Sequence, residues 1–565
     1  AALPVPEKPA LKSRKEFRII GARQRRVDGA DIVTGKAVYG LDVRVPGMRY
    51  AAVARAPQLG GKVASFDATE AKKVRGVLSV VEIPSGVAVV AENSWAALRG
   101  RDALAVKWAP SPHASFNSAA HMDALARAVD EPGVTIRKDG EGRAGFAKAK
   151  KVVEALYLYP FAAHAAVEPV NSTALVKDGT CTLWSPSQAP NAVQAAAARV
   201  LAIPETAVTV NVTLLGGGFG RRLGVDFDVE AIEIAKRMEG TPVHLLWSRE
   251  DDMRHGYFQA ASAHRLRAGL AEDGKIVAWE HRKGSTLHNA RRTLTAEEKA
   301  NPETLAAAAW GVNDSPYAIA DGEMTYTLVD APVSIGPWRA VYSPSSVFAR
   351  ECFLDEVARA TGKDPIALRL ELLGAGDETI AREVTVAGML VERPRMRKVI
   401  ELVAAKSGWG GTARAGVARG FAANDFHGTC IAYVVDVTLR PSGELPFTVE
   451  RVVCAVDVGV AINPLGVEQQ VESGILWSLS NMKSEITMKD GAIVQSGFSD
   501  FPVAMIGETP ARIETHIAPS DDERPHGLGE PTVCPFAPAV ANALSQLAGK
   551  RIRRLPVRAA DLARS

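Results

Sequence analysis

From Ala207 to Leu215 apolar and polar residues alternate with a period of two, and from Asp226 to Met238 the apolar positions recur at helical spacing. The pattern predicts a strand and then a helix, with Gly216-Gly217-Gly218-Phe219-Gly220-Arg221-Arg222 at the corner between them. Alternation also predicts strands at Tyr50 to Ala54, Val77 to Ile83, Ala103 to Trp108, Val152 to Tyr157 and His244 to Trp247. Residues His264 to Leu270 and Ile276 to His281 flank Asp273-Gly274 as a hairpin, and an apolar pair, Ile431 to Leu439 and Phe447 to Asp457, turns at Pro441-Ser442-Gly443. A further hairpin turns at Asp490-Gly491. Helical spacing marks Ser94 to Gly100, Ser118 to Val129, Asn191 to Leu201, residues 295–310, Ser345 to Thr361, Pro464 to Leu479 and Ala537 to Leu547. Asp67 to Lys73 is a short helix in which Asp67 and Glu70 have the spacing of a capping box.

Strands and helices in alternation predict an α+β or mixed α/β assembly. A chain of 565 residues exceeds one core, and four parts are expected: an N-terminal arm (1–18), a small α+β module (19–130), a second block (131–383) and a third (384–565). Asp130 to Lys150, rich in glycine and lysine, is the expected linker after the module. Charge is mixed along the chain, net +3, with no basic run or aromatic-interleaved stripe, which argues against a nucleic-acid binder. No apolar stretch reaches the ~18–20 residues of a membrane helix. Five scattered cysteines, without C-x-x-C or zinc spacing, argue against an iron-sulfur cluster or structural zinc held by this chain.

The glycine corner could bring backbone N–H groups close to an anionic cofactor, with Arg221 and Arg222 as phosphate donors; equally, it could be a tight turn with two solvated arginines. Its spacing is not that of a dinucleotide fingerprint. Glu530, after Gly527-Leu528-Gly529 and before Pro531, could face a closed pocket with a raised pKa and act as a base, or be a plain carboxylate at a helix start. Arg339, following Pro337-Trp338, could offer a bidentate fork to phosphate or form an ordinary loop salt bridge. His164 and Glu168 sit at i and i+4 in an apolar segment cut by Pro169, and are expected to be satisfied buried polar residues rather than metal ligands. The eleven histidines include no H-x-H or H-E-x-x-H, and there is no G-x-S-x-G elbow.

Taken together, Leu215 to Gly220, Trp247-Ser-Arg249-Glu250-Asp251-Asp252-Met253, Trp338-Arg339 ahead of Phe348 to Glu356, Val456-Asp457-Val-Gly459 to Asn463-Pro464, and Gly527 to Glu530 with Pro538 to Ala543 resemble the large subunit of molybdenum hydroxylases, the xanthine oxidase and aldehyde oxidase family. Arg26 to about Val81 looks like that family's a/b hammerhead domain, so the second and third blocks would be its two molybdopterin-binding domains. Within the family the isoquinoline 1-oxidoreductase β-subunit type is nearest in style. The resemblance implies a molybdopterin cofactor, as a cytosine dinucleotide in many bacteria, whose dithiolene rather than any side chain ligates the metal. Gly217, Gly218, Phe219, Gly220, Arg339 and Gly529 would lie against this cofactor, and Glu530 would take the proton from the metal-bound hydroxyl. Oxygen from water would then reach an electron-poor carbon of an aldehyde or an N-heteroaromatic ring while hydride passes to a metal-bound sulfur.

Two departures qualify the resemblance. The family's Glu-x-Gly-Gln-Gly motif is absent from the sequence, and since the chain opens at Ala1 without methionine, a separate upstream chain is expected to supply it and to complete the third block. Purine-oxidising relatives carry an acidic residue four beyond the loop phenylalanine, where this chain has Leu223, so a purine substrate is not expected. A small iron-sulfur (2Fe-2S) subunit would take the electrons, and a cytochrome c chain could follow it. Relatives of this type with a twin-arginine export signal suggest the periplasm over the cytoplasm. The rival reading is a non-catalytic scaffold subunit.

Overall fold

The computed structural model describes residue 4 and residues 7–288, 295–374, 379–381, 390–440 and 443–563. The expected boundary between the second and third blocks, at 383/384, and part of the Pro441-Ser442-Gly443 turn lie outside the described residues.

Three sheets organise the chain. The first has seven strands in the order Val208–Val212, Thr180–Ser185, Asn171–Lys177, Val243–Leu246, Arg49–Ala54, Gly86–Ala91, Val77–Ile83. Its middle is apolar on both faces, with Ala51, Val53, Val87 to Ala91, Val243 and Leu245 all buried, as strands covered from both sides require. The parallel pairing of Arg49–Ala54 with Val243–Leu246 carries this sheet across the expected boundary at residue 130, so the first module and the second block share one sheet. Helix Asp226–Ala235, which comes after the glycine corner, seals the sheet with Phe227, Ala231 and Ile234, alongside Val193 and Ala197 of helix Pro190–Leu201.

The second sheet has five strands in the order Val134–Asp139, Asp321–Leu328, Ile276–Ser285, Ser262–Leu270, Lys151–Tyr159. Val134–Asp139 corrects the expected linker. The stretch 130–150 supplies an edge strand and a 3-10 helix, Gly142–Lys148, tied down where Lys148 Nζ reaches Asp321 at 2.9 Å and the Glu141 N–H reaches the same carboxylate at 2.8 Å. Its glycines fit close approaches: a Cβ on Gly145 would fall 2.3 Å from Asp321 Cβ.

The third sheet runs Val417–Phe426, Thr429–Leu439, Phe447–Asp457, Arg512–Ile517, the last strand parallel to its neighbour. Its first strand escaped the sequence reading because it is built largely of small residues. Gly420 is one of them, and a Cβ there would meet the Ala539 carbonyl oxygen at 1.8 Å, so the glycine lets helix Phe536–Ala548 lie directly on the strand.

Helix Ser343–Ala360 joins the second sheet to the third. Phe348 meets the rings of Tyr157 and Tyr159 edge-on at 6.0 Å on one side. On the other, Asn542 Nδ2 donates to the Glu351 carbonyl at 3.4 Å, and the fully buried Glu351 carboxylate accepts from Arg369 Nε at 2.8 Å, Arg350 Nε at 3.1 Å and the Ala423 N–H at 3.3 Å. A buried carboxylate so surrounded has its lone pairs satisfied, the condition for tolerating charge in a core. All five cysteines are buried.

This packing is open to two tests. Phe348→Ala is expected to cost about 3–5 kcal/mol, seen as a lower urea midpoint at constant slope; a loss below about 1 kcal/mol would show that the helix is not the packing hub. Lys283 is 1% exposed and donates to Ala308 O and Ser346 Oγ, both at 3.0 Å; burial pushes its pKa down to about 7. An unfolded lysine titrates near about 10.4, so between these values the unfolded chain binds more protons and the residue's contribution to stability rises with pH, its cost being full below the folded value. The difference in unfolding free energy between wild type and Lys283→Met is therefore expected to change between about pH 6.5 and about pH 9, and a constant difference would refute the assignment.

Candidate active site

The glycine corner is shaped by its own side chains. Arg222, fully buried, donates from Nε to Gly217 O at 2.9 Å and from Nη2 to the carbonyl and carboxylate of Glu168 at 2.9 and 2.8 Å. Glu168 in turn accepts from the N–H groups of Gly216 at 2.8 Å and Leu41 at 3.0 Å. Arg221 forms a two-pronged pair with Asp226 at 2.7 and 2.8 Å. The expectation that these arginines face a phosphate is thereby corrected. Both are buried against carboxylates and fix the loop, while Arg221 Nε and Arg222 Nη1 have no partner among the described residues. His164 is likewise buried, its two ring nitrogens 3.0 and 3.1 Å from the carbonyls of Tyr257 and Pro337, and burial pushes its pKa down to about 4.

What the loop leaves open is backbone. Gly217, Phe219 and Gly220 all have positive φ (+103°, +53° and +100°), and among the described residues none accepts from the N–H groups of Gly217, Gly218 or Phe219. Successive N–H groups in such a conformation form a concavity suited to an anion. Gly220 packs so tightly that a Cβ would fall 1.5 Å from the Pro337 carbonyl oxygen. The Phe219 ring stacks on Trp477 at 3.8 Å and 24°, and the buried Trp477 Nε1 donor has no partner among the described residues.

The segment reached by Gly220 also carries the second half of the site. Three residues beyond Pro337, the Ala340 N–H donates to Glu530 Oε1 at 3.0 Å. Three residues span at most about 11 Å, so the Phe219 corner and the Glu530 carboxylate flank one short stretch of chain although 311 positions separate them in sequence (530 − 219). Glu530 Oε2 lies 3.2 Å from His427 Nε2, and the carboxylate keeps about a third of its surface open. Beside it Gly529 is exposed, with no heavy atom within 4 Å of where a Cβ would stand.

Burial alone raises the Glu530 pKa, but the hydrogen bonds from His427 and from the Ala340 N–H, with the nearby charges of His427 and Arg339, outweigh it and leave the carboxyl below its ordinary value. The raised pKa expected from the sequence is corrected accordingly. The bland alternative fails as well. Glu530 precedes only a short 3-10 turn, Pro531–Val533, and makes no side-chain cap bond there.

Of the two readings of Arg339, phosphate fork or loop salt bridge, the second is corrected, since Arg339 makes no salt bridge among the described residues. Nε donates to Gly529 O at 2.6 Å, Nη1 to Ser473 Oγ at 2.9 Å and Nη2 to Gln470 Oε1 at 2.8 Å, all neutral acceptors, and burial pulls its pKa down. It is a strut joining the Pro337 segment, the Glu530 loop and helix Pro464–Asn481. That helix presents Gln470, Ser473 and Trp477 on one face, at i, i+3 and i+7. That spacing is visible in the sequence, whereas His427, at the turn after strand Val417–Phe426, carries no motif.

Among the described residues no three His, Cys, Asp or Glu side chains cluster as metal ligands. Three unpartnered loop N–H groups, an orphaned indole donor and open space at Gly529 fit an anionic, hydrogen-bonding cofactor better than a bare ion.

Comparison with known proteins gives the same answer. A molybdopterin cofactor-binding domain matches residues 119–373, and a second such domain matches residues 392–510. The chain is 32% identical to a membrane-bound aldehyde dehydrogenase [pyrroloquinoline-quinone] of Gluconacetobacter polyoxogenes, over 98% of this chain and 74% of that protein. It is 30% identical to the isoquinoline 1-oxidoreductase subunit beta of Brevundimonas diminuta, over 99% of this chain and 71% of that one. Its fold matches quinoline 2-oxidoreductase from Pseudomonas putida 86 with a TM-score of 0.79 at 16% identity, covering 95% and 97% of the two chains. The corner, the strut and the carboxylate thus lie in a chain that belongs to the molybdenum hydroxylase family, as its molybdopterin-binding large subunit.

Proposed function

We propose that Glu530 is the base of a hydroxylation in which water-derived oxygen is added to an electron-poor carbon of an aldehyde or an N-heteroaromatic ring. The observation that carries this is the placement of the Phe219 corner and the Glu530 carboxylate on either side of Pro337 to Ala340. Molybdopterin, when bound, supplies a metal that accepts the electron pair released by the substrate carbon. The N–H groups of Gly217, Gly218 and Phe219 and the Trp477 indole N–H would hold it, with Arg339 bracing Gly529 and helix Pro464–Asn481 behind. Glu530 stays ionised near neutral pH and can accept a proton at a carboxylate that is open over a third of its surface. Relatives named for an aldehyde and for isoquinoline support both substrate classes.

The cytosine dinucleotide form of the cofactor, a separate chain bearing the glutamine motif, a 2Fe-2S subunit and a cytochrome c chain belong to the same proposal. The subunit designation in the isoquinoline relative's name supports assembly with partners.

Glu530→Gln is expected to keep molybdenum per chain at the wild-type level and to lower kcat by about 10²–10⁴-fold, the usual share of a general base. Turnover with an artificial dye acceptor, assayed on an aldehyde and on an N-heteroaromatic compound alongside metal analysis, checks this. Wild-type turnover in a fully loaded variant would remove Glu530 as the base.

A further inference from the structure

Glu530 does not orient itself. Its loop, residues 527–531, offers the carboxylate no hydrogen bond; the partners come from two other elements, the Ala340 N–H at Oε1 and His427 at Oε2. His427 occupies the tip of a two-residue hairpin between Val417–Phe426 and Thr429–Leu439, where φ is +51° at His427 and +76° at Gly428. Positive φ at both central residues is what a tight two-residue hairpin requires, and histidine is among the residues that adopt it; tertiary contacts then fix the turn in place. Here they do so on three sides. The imidazole packs edge-to-face on Phe426 at 4.0 Å and Trp310 at 6.1 Å, Thr429 Oγ1 donates to Gly527 O at 2.7 Å, and a Cβ on Gly428 would strike the His526 ring at 2.3 Å. The hairpin tip and the 526–530 loop are therefore fastened together, with the imidazole Nε2 3.2 Å from the carboxylate. A carboxylate only accepts, so Nε2 carries the hydrogen of this contact.

We propose that His427 is the positioning residue of the base, holding the Glu530 carboxylate through Nε2–H against the Ala340 N–H so that both oxygens are fixed and the anion is kept. This rests on the reading of Glu530 as base. The other titratable or charged groups that face the pair are Arg339 from the Pro337 segment, Cys534 from beyond the 3-10 turn, and His526 from the loop, itself bound to Asp522 at 2.6 Å. None of them donates to the Glu530 carboxylate.

The test uses the assembled holoenzyme with His427→Phe, which keeps a ring but loses the donor, and His427→Gln, which keeps a donor but loses the ring. Molybdenum per chain, the pH profile of kcat/KM, and the infrared carboxyl band identified by subtraction of Glu530→Gln are measured for each. With normal metal content, His427→Phe is expected to move the acidic limb of the profile upward by about one pH unit, with the carboxyl band titrating in step; His427→Gln is expected to move both less. If neither limb nor band moves in either variant, the proposal is overturned. Should His427→Phe not accumulate, His427→Asn replaces it, being tolerant of left-handed backbone and too short to reach. Wild-type turnover by Glu530→Gln would instead sink the base reading, and the infrared band would still report whether His427 holds the carboxylate.

Discussion

Two successive non-glycine residues, Ala340 and Val341, have φ of +72° and +55°. A β-branched residue in that region is a genuine outlier, and strain of this kind costs of order 1–3 kcal/mol per residue. The bend turns the chain out of the segment that closes on Gly220 and into helix Ser343–Ala360, and in doing so points the Ala340 N–H at Glu530. An ordinary extended backbone at these residues would aim that N–H elsewhere and leave the carboxylate with His427 alone. The site thus depends on a strained turn anchored at both ends, by Gly220 against Pro337 and by the most buried helix of the molecule.

The charges around it serve the same end. Arg222 with Glu168, Arg221 with Asp226, and Arg350 and Arg369 with Glu351 are ion pairs in nearly dry surroundings. Net stability is a weak reason for such pairs, because desolvation cancels much of the Coulomb gain. Their effect here is geometric. A planar guanidinium that binds a carboxylate and two carbonyls at once, as Arg222 does, dictates how the glycine corner sits against the Glu168 segment. Arg339, with three neutral acceptors, does the same between the two halves of the site.

Much of this was legible from residue order. The strand-to-helix corner, the Phe447–Asp457 strand and the long helices are dictated directly by periodicity, and the five motifs shared with molybdenum hydroxylases point to Phe219 and Glu530. Elsewhere local composition misled. Glycine and lysine at 130–150 look like a linker because the glycines are there to admit Asp321 and a neighbouring strand, a tertiary reason that no window of sequence displays. Strand Val417–Phe426 is muted by Gly420 for the same reason. The left-handed turn at Ala340-Val341 has no glycine to announce it, and the role of Arg221 and Arg222 depends on carboxylates whose proximity only the fold reveals.

The sign of the Glu530 shift has a wider meaning. A base must be deprotonated when substrate arrives and still strong enough to take a proton, and these demands pull its pKa in opposite directions. In the protein by itself the first demand is met, through His427 and the Ala340 N–H. Burial works toward the second, but the donors and cationic groups that act on Glu530 outweigh it. An anionic cofactor seated at the Phe219 corner, as proposed, would act the other way, because a like charge nearby raises a carboxyl pKa and its bulk would exclude water from a carboxylate that is otherwise one-third open. On the reading proposed for Glu530, cofactor binding would then convert a hydrogen-bonded, partly open anion into a stronger base. The low value in the protein alone is the starting point that such a conversion requires, since a carboxyl already raised by burial would be driven to the protonated form by the arriving charge.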